Sequence, residues 1–312
     1  MAICGENLLP DPDLIPAVRV GDVDARIVRS SDSQIDVIVP AGTAGRVPVR
    51  VAEVPGAAAY LDVGIPVATG VHQVDNPVFD RRGTLYATFS GTRSHQSAVT
   101  IYRIYPDRAR EPFVTSIAHP TSMVLGPDGA LYVSDRFEGA VYRVEMDGRS
   151  EIVATDLGTV CGLAFGDDGS MYAGDRGGPI IRIDTQGVRT TVAELPGSIA
   201  AFHLAWGPDH CLYATAPSLN SCDPVYRIAP DGAVESLPVA FGRPQGLAFD
   251  RQGRLYVCEA LAGSAGVHRF TPDGSIPEKV LSAEAIVGLC FDPAGGLVVA
   301  SNETIHRLAV AV

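Results

Sequence analysis

Apolar and polar residues alternate in short runs along most of the chain. That period of two marks half-buried β-strands rather than helices. Turn residues punctuate the runs: 33 glycines and 23 prolines stand among 312 residues, and many short strands need many tight turns. Six segments of this pattern align on one another. Their first strands read DNPVFD, TSMVLG, CGLAFG, FHLAWG, QGLAFD and VGLCFD, starting at Asp75, Thr121, Cys161, Phe202, Gln245 and Val287. The intervals are 46, 40, 41, 43 and 42 residues, the period of a four-stranded propeller blade. Second strands follow a short turn (GTLYATF, GALYVSD, GSMYAGD, CLYATA, GRLYVCE, GGLVVAS), and third strands such as VYRV, IIRI, VYRI and VHRF come next. Asp147-Gly148, Asp231-Gly232 and Asp273-Gly274 suit the second hairpin turn, because both residue types tolerate positive φ.

The pattern therefore predicts an all-β chain: a six-bladed β-propeller over residues 56–312, preceded by a short immunoglobulin-like β segment over residues 1–55. The sixth copy has three strands before Val312. The segment IPVATGVHQVDNP matches EIVATDLGTVCGL, in which a fourth strand leads into the next copy. A strand from about Tyr60 to Ala68 is expected to complete the sixth blade and pair edges that would otherwise be exposed. Residues 16–54 also alternate but lie outside the repeat. Their stretches VRVGDVDARIV, SQIDVIVP and AGRVPVRV resemble the second half of the IPT/TIG domain, which implies a partial sandwich at this end.

Composition narrows the functions. Hydrophobic residues make up 46% of the chain and charged residues 19%, enough for a substantial core. The net charge is −12 and no Lys/Arg run is present, which argues against nucleic acid and anionic membrane as partners. No apolar stretch approaches the ~20 residues of a membrane span. The opening MAICGENLLPDPD has neither a basic nor an apolar signal region, so a cytoplasmic location is expected. The six cysteines show no CxxC spacing. Cys211 and Cys222 fall near opposite ends of one hairpin, roughly 15 Å apart, beyond disulfide reach. Free thiols in a reducing compartment are expected.

Strand direction sorts the polar residues. First-strand starts and second-strand ends meet at one mouth of the channel, where the connections are long: SGTRSHQSA, DRFEGA, APSLNSCDP and EALAGSAG. Long loops on a rigid scaffold commonly carry sites. The starts supply Asp75, Asn76, Thr121, Ser122, Cys161, His203 and Gln245. The ends supply Arg93, Asp135, Arg136, Asp175, Arg176, Glu259 and Asn302. Cys161 and His203 start adjacent blades. They could form a nucleophile–base pair or hold a soft metal, or simply fill the channel. Asp135-Arg136 and Asp175-Arg176 recur at equivalent places, fit either to orient an anionic group or to make interblade salt bridges.

The GLAFD…G-x-LYV-x-E repeat, from about Tyr60 to Val312, resembles the senescence-marker-protein/gluconolactonase family and NHL-type repeats. The resemblance implies a six-bladed propeller with a divalent cation, usually calcium, held by oxygen ligands at first-strand starts. The family's EGP motif corresponds to Asp75-Asn76-Pro77, which keeps a carboxylate, but the other ligand positions hold Thr121, Cys161 and Phe202. The calcium site is thus expected to be degraded. A softer divalent metal on His203 and Cys161 is the alternative. The function expected is a small-molecule hydrolase, most plausibly of a lactone or related ester. His203, Asp75 and Cys161 are the candidate catalytic residues. Asn76, Ser122, Arg136, Asp175, Arg176, Gln245 and Glu259 are the candidate substrate contacts. The alternative is a non-catalytic NHL-like propeller that binds a ligand or a protein.

Overall fold

The computed structural model describes residues 1–11, 13–54, 59–89, 97–261, 263–270 and 277–308, and every regular element among them is a β-strand. Two compact units emerge, one centred on Met1–Pro66 and the other on Val67–His306.

The first unit is a single antiparallel sheet. Its strand order is Ala2–Cys4, Gln34–Ile38, Val23–Ser30, Val18–Val20, Gly45–Val51 and Ala59–Val63. Strict alternation buries one face: Val18, Val20, Ile35, Val37 and Val49 pack with Leu8. Tyr60 pairs with Pro48 in this sheet. That corrects the expectation that Tyr60 begins the strand completing the sixth repeat. Gly64 separates two short strands that the alternation alone reads as one.

The second unit holds six four-stranded sheets, one for each aligned repeat. Sheet I comprises Val78–Phe79, Leu85–Thr88, Ile101–Ile104 and Arg110–Val114. Sheet II comprises Pro120–Leu125, Leu131–Asp135, Ala140–Val144 and Ser150–Ala154. Sheet III comprises Val160–Phe165, Met171–Asp175, Pro179–Ile183 and Arg189–Glu194. Sheet IV comprises His203–Trp206, Leu212–Thr215, Asp223–Ile228 and Val234–Phe241. Sheet V comprises Pro244–Phe249, Leu255–Glu259, Gly266–Arg269 and Glu278–Ser282. Sheet VI takes Ile286–Phe291, Leu297–Ser301 and Thr304–Arg307, and its fourth strand is Ile65–Thr69. First strands of successive sheets are neighbours, and that of sheet VI neighbours that of sheet I. The first strands thus close a ring.

The repeated residues explain the packing between sheets. The second-strand tyrosine of one sheet meets the aromatic ring that ends the first strand of the next. Tyr132–Phe165, Tyr172–Trp206, Tyr213–Phe249 and Tyr256–Phe291 have centroids 4.8, 5.2, 5.0 and 5.0 Å apart, within the range of favourable ring pairs. The tyrosine hydroxyl donates to a turn aspartate of its own sheet, as Tyr213 does to Asp209 at 3.1 Å. In sheets II and IV the third-strand arginine donates to the same carboxylate, as Arg143 and Arg227 do at 2.7 Å. The LY and YR dipeptides are therefore parts of one device. The Asp-Gly turns hold as expected, with Gly148 and Gly232 at φ 89° and 88°; Asp273-Gly274 lies outside the described residues.

Removing residues 1–70 takes away the fourth strand of sheet VI, whereas removing 1–63 spares it. The shorter deletion should keep a cooperative urea transition, followed through the single tryptophan, and the longer one should lose it. Equal midpoints for the two would show that the strand does not hold the ring closed.

Candidate functional site

Between Thr69 and Val78 the chain crosses the long-loop mouth of the channel. Val71 N donates to the Glu303 carbonyl at 3.2 Å and Gln73 N to that of Asn302 at 3.3 Å. Val74 packs against the apolar cluster that contains Cys161 and Phe202. Asp75 then reaches His203, with Oδ1 and Nδ1 2.5 Å apart. Sheets I and IV stand opposite one another in the ring, so this pair spans the channel. Both residues are buried. Asn76 N also donates to Asp75 Oδ1, at 2.7 Å. His203 Nε2 is buried without a hydrogen-bond partner. No hydrogen bond reaches Asp75 Oδ2 among the described residues.

Asn76 ties sheet I to two others. Its Nδ2 donates to the Leu247 carbonyl and its Oδ1 accepts from Leu289 N, both at 2.9 Å. Gly246 and Gly288 leave the space it occupies, since a Cβ on Gly246 would run into Asn76 Oδ1 and one on Gly288 into the Asp75 backbone. Ser122 Oγ accepts from Leu163 N at 3.2 Å. These polar side chains form a floor beneath the crossing segment. On the other side of the floor the channel widens into a cavity of about 410 Å³ that runs to the rim of the short first-hairpin turns. Asp75, Asn76 and Ser122 line its base. Half-exposed Phe79, Phe165, Trp206, Phe249 and Phe291 line its rim.

The sequence places the site at the long-loop mouth, but the chain's own residues 71–76 cover that mouth, and the open cavity faces the opposite way. Of the expected catalytic residues, Asp75 lines the cavity and His203 sits behind it. Cys161 does not pair with His203. Successive side chains on a strand alternate in direction, and Cys161 aligns with Phe202 rather than with His203. Its Sγ donates to the Thr159 carbonyl at 3.4 Å. Burial pushes its thiol up to about 11, against the opposing pull of Arg136 and Arg176, so it is neutral at pH 7.

Most of the expected substrate contacts do other work. Asp175 Oδ1 accepts from Thr159 N and Gly177 N, both at 3.0 Å. Glu259 accepts from Gly242 N, Arg243 N and Leu261 N at 2.8–2.9 Å. Asp135 does the same for His119 and Phe137. Each carboxylate at a second-strand end therefore folds the loops around it. Gln245 is buried, and its carbonyl accepts from Thr215 Oγ1 at 2.7 Å. Arg176 donates to the Ser198 carbonyl at 3.1 Å. No ion pair reaches Arg136 or Arg176 among the described residues, so the interblade salt bridges, one of the two alternatives for them, are not seen. None of Gln245, Glu259, Asp175 or the two arginines lines the cavity. Arg93 lies outside the described residues. The aromatic rim was missed as a site feature. Its signal is the fifth position of each first strand, which reads equally as core periodicity.

The residues do not fit calcium held in the manner of the resembled family. Asp75 Oδ1 is engaged by His203, and the aligned positions offer a hydroxyl at Thr121, a neutral thiol at Cys161 and no donor at Phe202. A hard cation needs several oxygen ligands. A softer ion fares no better: no cluster of three or more His, Cys, Asp or Glu able to hold a metal occurs among the described residues.

No family model matches the chain, and no curated protein matches it. Solved structures do. A gluconolactonase from Xanthomonas campestris is 18% identical over 79% of this chain and 89% of that one, with a TM-score of 0.66. An auxiliary nutrient binding protein from Bacteroides ovatus is 14% identical over 99% and 93%, at 0.60. A catalytically inactive virginiamycin B lyase from Staphylococcus aureus, solved with quinupristin, is 18% identical over 99% and 100%, at 0.56. At these identities the likeness establishes the fold, a β-propeller, and leaves chemistry to the residues. Among the described residues no helix is long and apolar enough to cross a membrane.

Two outcomes test this geometry. All six cysteines are free, with Cys4 and Cys222 exposed. In native protein a thiol reagent should react quickly with those two and slowly with Cys161; equal rates at Cys161 and Cys222 would mean the mouth is open. Asn76→Ala leaves a backbone N–H and a carbonyl without their partner, at about 1–3 kcal/mol each. Urea denaturation should show a loss of about 2–4 kcal/mol.

Proposed function

We propose that this chain is a six-bladed propeller that admits a small molecule to its channel from the turn face and hydrolyses a lactone or related ester there. The observation that carries this is the Asp75 carboxylate. Its Oδ1 is held by His203 Nδ1 and Asn76 N, while Oδ2 makes no hydrogen bond among the described residues and the residue lines the cavity. A carboxylate fixed through one oxygen presents the other as a proton acceptor of defined direction. In this reading Oδ2 takes a proton from a water molecule as the water oxygen attacks the carbonyl carbon. The tetrahedral intermediate collapses, the C–O bond of the ester breaks, and Asp75 returns the proton to the leaving alkoxide, giving a hydroxy acid from a lactone. His203 is a positioning residue that keeps Asp75 oriented. No metal enters this scheme.

The alternative, an NHL-like propeller that binds without catalysis, is favoured by one observation. Asn76 and Ser122 are engaged in hydrogen bonds between sheets, which leaves Asp75 as the polar cavity side chain with capacity to spare. Recognition needs no more than that. For the first unit we propose the partial IPT/TIG-like assignment, on its alternating strands. For the whole chain we propose a reducing, cytoplasmic setting, on its free thiols, and a small-molecule ligand rather than nucleic acid or membrane.

The test is a lactone and ester panel with wild type, Asp75→Asn and His203→Gln. Asp75→Asn should lower kcat by about 10²–10⁴-fold, the usual worth of a general base. His203→Gln should lower kcat by a smaller factor at similar KM, and a chelator should leave the rate unchanged. Tight ligand binding with no turnover in wild type would decide for the binding alternative.

A further inference from the structure

The first-hairpin turns of the six sheets obey one pattern, and sheet IV breaks it. In each turn the fourth residue donates its N–H to the carbonyl of the first. Five turns place a glycine at that fourth position: Gly83, Gly129, Gly169, Gly253 and Gly295, at φ between 76° and 88°. Sheet IV places His210 there, at φ 60°. A non-glycine side chain in this left-handed region costs stability, and such strain concentrates at functional sites.

Two further exceptions to the repeat touch this one. At the second turn position sheet III has Asp167, where the other sheets have Arg81, Pro127, Pro208, Arg251 and Pro293. At the end of its first strand sheet IV has Trp206, where the others have phenylalanine or Leu125. The three departures meet at one oxygen. Asp167 Oδ2 accepts from Trp206 Nε1 at 2.9 Å and lies 2.6 Å from His210 Nδ1. Trp206, which lines the cavity, is also turned differently from its counterparts. Its plane lies 28° from that of Tyr172, whereas Tyr132–Phe165, Tyr213–Phe249 and Tyr256–Phe291 stand at 75°, 73° and 71°.

A stability tie does not account for this cluster. The His210 and Asp167 side chains are 74% and 61% exposed, and an exposed pair returns little stability. The nearby arginines serve other carboxylates, Arg182 pairing with Asp168 and Arg227 with Asp209. We infer that His210 and Asp167 are positioning residues for Trp206, which they hold as a fixed wall of the cavity opening in contact with the ligand. The contact with a ligand rests on the proposed function; the positioning does not.

Trp206 is the one tryptophan in the chain, so its fluorescence anisotropy decay reads the ring directly. In full-length wild type the ring should turn only with the whole molecule. Asp167→Pro installs the residue that three other turns carry and removes the acceptor, so it should add a fast component to the decay. His210→Gly installs the residue of the five other turns. It should add a smaller fast component while the urea midpoint stays level or rises. His210→Asn should restore the wild-type decay, because asparagine tolerates this φ and carries an N–H donor at the same distance along the side chain. A ring that stays rigid in Asp167→Pro would overturn the inference. So would a His210→Gly protein whose midpoint falls while the ring is unmoved; if Asp167→Pro does not fold, this variant decides alone. Kinetics on the lactone and ester panel, δ-valerolactone and 4-nitrophenyl acetate among its members, test the contact. A ligand must itself order a mobile ring, so Asp167→Pro should raise KM about threefold to tenfold at unchanged kcat. Unchanged KM would remove the ligand contact and leave the positioning. If wild type cleaves no member of the panel, the hydrolase reading falls and takes the contact with it, while the anisotropy decay still decides the positioning.

Discussion

Closure of the ring is the constraint from which the site follows. Each sheet needs four strands to bury its neighbours' aromatic rings, and sheet VI obtains its fourth only from Ile65–Thr69. The chain must pass from the outer edge of sheet VI to the inner edge of sheet I. It does so through residues 70–77, and hydrogen bonds to Glu303 and Asn302 lead it over the mouth. Asp75 is thereby delivered to the channel axis opposite His203. A side chain on a first strand proper would face its own neighbours; one on a crossing segment can reach the far side.

Two kinds of polar group result. The second-strand carboxylates Asp135 and Glu259 accept backbone amides on both oxygens, and a saturated carboxylate has little left to offer a ligand; Asp175 accepts two amides on Oδ1. The carboxylate of Asp75 is saturated on one oxygen only. The difference comes from local chain geometry. A loop folding back on a strand end presents several N–H groups at once, whereas the crossing segment presents one, and an imidazole supplies the other. His203 is thus the cost-bearing member of the pair: its Nε2 is buried and unpartnered, a penalty of roughly 1–3 kcal/mol that the charge-assisted bond to Asp75 must offset.

The repeat was readable because it is enforced six times. A position that must pack an aromatic ring between sheets is filled by one at Phe165, Trp206, Phe249 and Phe291, and the turn glycines recur for their positive φ. The crossing segment occurs once and carries no such periodicity. Nothing in VHQVDNP says that it leaves the rim. Aligning Asp75 with Thr121 and Cys161 correctly places it at the start of a strand. It does not reveal that the preceding residues close the mouth, nor that His203, one residue out of phase with Cys161, is the group that meets it. The strand from Ile65 was found through its likeness to another fourth strand. Its start was set too early because Tyr60–Val63 alternates equally well.

The same logic explains why the cavity and the long loops lie on opposite faces. Loop length reflects freedom from packing, and long connections in this chain are stabilised by their own capping carboxylates. In sheets II and IV an aspartate, a tyrosine and a third-strand arginine of one sheet tie the first-hairpin turn together. The first strands of the six sheets wall the channel between those turns. At the polar floor the Asp75 carboxylate faces the cavity, away from bulk solvent. In such surroundings an electrostatic contact is screened less than at a wet surface. Whatever enters the cavity meets Asp75 under those conditions.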